Sequence, residues 1–270
     1  MTEYVASWSG GKDSCFALWK AICQGIKVTG LLNFVNRNST QVMSHGLDYK
    51  LIALQSRAIG LPMLQRKVTW ETYETEFKSV LRELKRRGIT GLITGDIHLQ
   101  EHKDWIERVC SEVGIKAILP LWGSDSLQLL NDFIEAEFKA IIVSVKTEII
   151  SKDWLGKDVD RKLATELSQL AMKSKIDICG EAGEFHTFVY DGPLFKKRIK
   201  LDRGMPKARD NYWYLEIKGY SLADTCDNHF PRSLHPCHRK LTAHHAKRGK
   251  EYPVTQDRLH AVKGLHREDK

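Results

Sequence analysis

A chain of 270 residues, 42% hydrophobic and 28% charged, has the balance of a globular protein and the length for one large or two modest domains. No apolar run approaches membrane-spanning length, and the start leads straight into a charged, structured segment unlike a signal peptide; six scattered cysteines contain no C-x-x-C pair, which excludes a zinc ribbon or disulfide framework and leads us to expect reduced thiols in the cytoplasm. The net charge of +8 is uneven, since residues 221–270 hold ten Lys/Arg against six Asp/Glu and seven of the eleven histidines, leaving a mildly basic body that suits an anionic ligand and lacks a clear nucleic-acid module.

In chain order, residues 4–8 are short and mostly apolar and read as a buried parallel strand. Cys15, Phe16, Trp19, Ile22 and Cys23 recur at helical spacing and predict an amphipathic helix ending near Gly25. Residues 28–35 read as a second strand, and Gln41-Val42-Met43-Ser44-His45-Gly46 leads into a helix through Leu51, Leu54 and Ala58. A third strand at 61–68 precedes a helix at 69–87 with Tyr73, Phe77, Val80, Leu81 and Leu84 on one face. A strand at 91–97, a helix burying Trp105, Ile106, Val109, Cys110 and Val113, and a short strand at 116–119 complete the run.

This alternation predicts a Rossmann-like, HUP-type α/β domain at 1–120, its parallel sheet covered by helices on both faces. Ligands in such sheets sit beyond the carboxyl ends of the strands, so residues 10–14 and 95–96 should share one rim. After a boundary at Pro120-Leu121-Trp122-Gly123, a helix at 125–137, a strand at 138–145, a helix at 158–172 and strands near 185–190 and 212–217 predict a smaller α+β domain over 121–220. Residues 221–270 read as a flexible basic tail. Its Cys226, His229, His235, Cys237 and His238 fit no standard metal-finger spacing, so incidental metal affinity is expected there rather than a site.

Ser9-Gly10-Gly11-Lys12-Asp13-Ser14 occupies the first strand-to-helix turn. Glycines admit a ligand close to the backbone, the helix start offers unpaired N–H groups with a positive dipole end, and Lys12 adds a cation: a phosphate cradle. The Walker spacing is absent. The hexapeptide instead resembles the PP-loop of the ATP pyrophosphatase families, which implies that ATP is broken between its α and β phosphates.

A second informative stretch is Asp177-Ile178-Cys179-Gly180-Glu181-Ala182-Gly183-Glu184-Phe185-His186-Thr187, which gathers carboxylates, an imidazole and a hydroxyl around glycines. His98 and His102, four apart with Asp104 nearby, read as a solvated helical face, and Trp19 and Trp105 as core. Taken with Ser44-His45, Gly95-Asp96-Ile97, Pro120-Leu121-Trp122 and Trp154-Leu155-Gly156, the chain resembles the diphthine–ammonia ligase family of PP-loop proteins from about residue 4 to 218. Members typically read Glu-Gly-Gly-Glu-Tyr-His-Thr where this chain has Ala182 and Phe185.

The resemblance implies an enzyme that adenylates the carboxylate of diphthine on elongation factor 2, using ATP and Mg²⁺, and then transfers ammonia from ammonium to give diphthamide. It implies that Ser9, Gly10, Gly11, Lys12, Asp13, Ser14, Gly95 and Asp96 hold the nucleotide, with Asp13 or Asp96 helping to hold Mg²⁺. Lys12, Asp13, Glu181, Glu184 and His186 become the catalytic candidates. His45, Glu181, Glu184, His186 and Thr187 are placed beside the acceptor, with the carboxylates facing diphthine's quaternary ammonium. Two rival readings stand beside this one. A related enzyme would apply the same chemistry to another carboxylate or act on tRNA, where thiolation would call for paired cysteines such as Cys110 and Cys179, and a non-enzymatic protein would only sense a nucleotide.

Overall fold

The computed structural model describes residues 2–43 and 45–224. The expected tail at 225–270, with its Cys226, His229, His235, Cys237 and His238, and Ser44 of the Ser44-His45 pair lie outside the described residues.

Five parallel strands form the first sheet: β1 (Glu3–Ser7), β2 (Val28–Asn36), β3 (Met63–Val68), β4 (Ile89–Ile93) and β5 (Lys116–Ile118). Their order is β3-β2-β1-β4-β5, the doubly wound arrangement expected from the alternation of elements. Side chains point to opposite faces at successive positions, and the apolar residues divide accordingly. Val5, Leu32, Phe34 and Leu92 face a cluster completed by α3 (Tyr73–Arg86) and α4 (Gln100–Val113). Ala6, Leu31, Val35 and Ile93 face the other way, toward α1 (Lys12–Cys23) and α2 (Tyr49–Ile59). α2 is bounded by Asp48, whose side chain accepts from Lys50 N at 2.8 Å, and by Gly60 in the left-handed region at φ 83°.

α1 is buried along almost its whole length rather than on one stripe, so it needs cover on a second side. A second, antiparallel sheet and its helices supply it. This sheet runs β7-β6-β9-β8, from β6 (Lys139–Lys146), β7 (Phe185–Asp191), β8 (Arg198–Arg209) and β9 (Tyr212–Ala223). With it go α5 (Ser126–Glu135) and α6 (Arg161–Lys173). Phe16 of α1 meets Phe133 of α5 edge-on at 5.8 Å and Phe138 at 6.0 Å. One apolar cluster therefore runs from the first sheet through α1 and α2 into the second.

Three expectations change. The β4 strand stops at Ile93, and residues 94–97 continue as irregular backbone on the rim. β8 is a twelve-residue strand that the sequence reading passed over, because it is rich in Lys and Arg and largely exposed. β9 runs on to Ala223, pairing Ser221 with Lys200 and Leu222 with Ile199, so residues 221–223 are strand rather than tail.

Candidate active site

The PP-loop leaves β1 and turns into α1 with Gly10 at φ 89°, a conformation an L side chain resists. A Cβ there would fall 2.5 Å from Ile52 Cδ1, and one on Gly11 would fall 2.6 Å from His45 Cε1. The loop is thus packed against α2 and the β2–α2 connection and has no room for side chains. Gly11 is the N-cap of α1 and offers no side-chain acceptor, so the helix start is left to neighbouring hydroxyls and to whatever the loop binds. Ser9 Oγ accepts from Gly11 N at 3.3 Å and lies 3.1 Å from Ser14 Oγ.

The second sheet forms the floor of this loop. Thr187 Oγ1 accepts from Lys12 N at 3.0 Å, and Val189 N donates to Gly10 O at 3.0 Å. The buried Lys12 ammonium donates to both Asp13 oxygens at 2.8 Å and to Cys179 O at 2.5 Å. Burial alone would lower its pKa; Asp13, with Cys179 and Asp177, holds it above the ordinary lysine value.

Residues 177–187 are tied back to the rim. Glu181 accepts from Ile97 N at 2.7 Å and His98 N at 2.9 Å, joining the stretch to the end of β4. Asp177 accepts from Glu181 N and from Ser126 Oγ, both at 2.8 Å, and its own N–H donates to Glu184 Oε1 at 2.8 Å. Glu184 is 4% exposed. Both carboxylates expected to face the acceptor therefore hold backbone N–H groups. His98 Nδ1 lies 3.1 Å from Glu181 Oε2, so His98, Asp177 and Glu181 group together while His102 turns instead to Asp96 at 3.5 Å.

Asp96 and Gly95 reach the rim where expected. A Cβ on Gly95 would fall 2.8 Å from Ser14 N and from the Asp13 carbonyl carbon, so only glycine lets the β4 end lie against the first turn of α1. Burial would raise the Asp96 carboxyl, but His102 beside it holds it below its usual range. Asp96 in turn raises His102. Two carboxylates beside a helix start whose N-cap is glycine, with a lysine at hand, suit a nucleotide polyphosphate with a hard, oxygen-seeking cation such as Mg²⁺.

His45 and His186 stack at 4.5 Å, and Tyr212 follows His186 at 6.1 Å. Burial, reinforced by the Lys12 cation, pulls His186 down to about 4, and burial with His186 and Lys12 beside it holds His45 well below its ordinary value, so both rings are neutral. His45 Nδ1 is buried without a hydrogen-bond partner.

Sequence reasoning missed Gln55. Fully buried on α2, it accepts from Trp8 Nε1 at 2.9 Å and donates to Gly10 O at 2.9 Å and Val189 O at 2.7 Å. A glutamine on the apolar face of an otherwise amphipathic helix was the available signal. Cys110 and Cys179 are not brought together: they belong to the clusters on opposite faces of the first sheet, and burial raises both thiols, Cys110 to about 11. Among the described residues, no helix is long and apolar enough to cross a membrane.

A parallel HUP-type sheet with Ser-Gly-Gly-Lys-Asp-Ser at its first strand-to-helix turn defines a PP-loop α/β protein. Residues 2–117 match the diphthamide synthase N-terminal domain and residues 125–224 the diphthamide synthase C-terminal domain. The chain belongs to the diphthamide synthase family. It is 30% identical over 223 residues to a diphthine–ammonia ligase of Mus musculus, covering 72% of this chain and 80% of that one. A diphthine–ammonia ligase of Homo sapiens is 29% identical over 217 residues, covering 72% and 80%. One of Schizosaccharomyces pombe is 30% identical over 212 residues, covering 72% of this chain and 35% of that longer protein.

Proposed function

We propose that the protein is an ATP-dependent amide-forming ligase that converts diphthine on elongation factor 2 to diphthamide, releasing AMP and pyrophosphate. The observation that supports this reading is the joining of the PP-loop to the 177–187 stretch through Thr187, Lys12 and Cys179 O, so that the loop and the family's most distinctive residues meet. A carboxylate is a poor electrophile because its leaving group is oxide, and adenylation replaces that with a good one.

In this reading the backbone of Gly10 and Gly11, with Ser9 and Ser14, binds the pyrophosphate, and Lys12 offsets its charge. Gly95 lets the rim beyond β4 pack against the first turn of α1, which brings Asp96 beside the nucleotide. Mg²⁺ supplies charge neutralisation on the phosphates, with Asp13 and Asp96 as its oxygen donors. His186, neutral and facing the loop, accepts the proton that the nitrogen sheds after ammonia has added to the adenylate carbonyl and AMP leaves, and the buried His45 Nδ1 is a contact for the substrate. Glu181 and Glu184 act as positioning groups, since each carboxylate holds backbone N–H groups of the site.

The test is to incubate the protein with Mg²⁺-ATP, ammonium and diphthine-bearing elongation factor 2, following the nucleotide products and the mass of the modified histidine. AMP and pyrophosphate together with conversion of acid to amide are expected. Lys12→Ala should lower kcat by about 10²–10³-fold, the scale for removing one group that stabilises developing charge. ADP as product, or full turnover by Lys12→Ala, would overturn the reading.

A further inference from the structure

Beside the histidine pair, at the carboxyl ends of β2 and β3, a cleft of about 480 Å³ opens between the first sheet and the β8–β9 turn. Trp70, Tyr212 and Tyr214 bring three aromatic rings to it from two parts of the chain. Trp70 is 55% exposed, an unusual placement for a tryptophan, although the Tyr73 ring lies 5.8 Å away. Tyr212 and Tyr214 lie 6.0 Å apart, and the Arg209 guanidinium rests 4.5 Å over the Tyr214 ring, so that face already accepts a cation. The lining carries one positive group, Arg209, and one negative, Asp210, which leaves it without net charge.

The cleft continues into the site. Tyr212 stacks on His186 and His186 on His45, whose ring touches Gly11 of the PP-loop. Tyr214 lies so close to Gly46 that a Cβ there would fall 2.4 Å from its ring, which fixes the cleft wall to the residue after His45.

We propose that this cleft seats the quaternary ammonium of the acceptor side chain, with the carboxylate borne on the same carbon turned toward Tyr212 and His186 and so toward the nucleotide. The inference rests on the acceptor being diphthine. A quaternary ammonium has no N–H to donate, so it gains nothing from carboxylates as hydrogen-bond acceptors; electron-rich ring faces hold it instead. Glu181 and Glu184 are engaged with backbone N–H groups, whereas Trp70 and Tyr212 present rings to the cleft.

The experiment measures steady-state amidation of diphthine-bearing elongation factor 2 by the full chain and by Trp70→Leu, Tyr214→Leu and Tyr214→Phe. Each Leu variant should raise KM for the factor about 3- to 30-fold, the range a cation–π contact supports, with KM for ATP in place and Tyr214→Phe close to wild type. Tetramethylammonium should compete with the factor on the wild type and lose that effect in the Leu variants. An unchanged KM for the factor, or a rise in KM for ATP instead, overturns the cleft assignment while leaving the ligase reading intact. A wild-type protein that turns over ATP yet never amidates the factor overturns both. Trp70, being exposed, keeps the test decisive should Tyr214→Leu fail to fold.

Discussion

Gln55 connects three segments that are distant in sequence, and its amide has all of its protein partners in the interior. Replacing it with Leu keeps the apolar bulk but leaves the Trp8 indole N–H and the Val189 carbonyl without this partner. Unpaired buried groups cost roughly 1–3 kcal/mol each. Gln55→Leu should therefore destabilise the fold by about 2–4 kcal/mol in urea unfolding. It should also raise KM for ATP, because Gly10 loses one of its anchors; an unaltered urea midpoint would count against this role. Its place on an apolar helical face marks the residue in the sequence, but polarity at one helical position says nothing about partners 45 and 134 residues away.

His186 gives a pH signature. Its native pKa, about 4, lies below the ordinary value of 6.5, so on acidification the unfolded chain takes up the proton first. Its stabilising contribution is complete above about pH 6.5 and lost as pH falls toward 4. His186→Gln should flatten that part of the stability–pH curve relative to wild type, measured by urea unfolding at pH 7.5 and at successive points below it; parallel curves would disprove the assignment. The histidine was legible as a site residue, but its neutrality was not, since burial and a lysine 174 positions away produce it.

At the scale of elements, β7 and α1 are held together through one hydroxyl. Thr187→Val preserves the β-branched shape that suits a strand and removes the acceptor for Lys12 N. With that buried donor left open, stability should drop by about 1–3 kcal/mol and hydrogen exchange at the start of α1 should accelerate. Protection at α1 equal to wild type would show that the hydroxyl does not anchor the helix. The parallel strands were readable because both of their faces are covered, so they stand out as apolar runs; Leu31, Leu32, Phe34 and Val35 in β2 are all buried. β8 was not readable for the opposite reason. As an edge strand it takes its hydrogen bonds from β9 on one side only, and Lys200, Arg203, Lys207 and Arg209 are exposed.

Across the whole molecule, the apolar interior makes no break between the two sheets. Phe16 and Trp19 of α1 pack on Phe138, which belongs to the second half of the chain. Calorimetric melting should accordingly give a single transition for the described residues, with far-ultraviolet circular dichroism and tryptophan fluorescence coinciding. Two separated transitions would mean that each sheet keeps its own core. The alternation of elements announced both sheets, but the residues that weld them are aromatic positions whose facing partners only the tertiary structure reveals.

The floor of the PP-loop comes from β7, so the hexapeptide is not a portable cassette. A chimera that grafts residues 1–120 onto an unrelated acceptor module would leave behind Thr187, Val189 and the Cys179 carbonyl, and with them the contacts that hold Lys12 and Gly10 in place. Any exchange that keeps the loop in working order has to carry β7 along with it. Retargeting the enzyme to a new acceptor is therefore a matter of altering residues around the cleft, not of swapping halves.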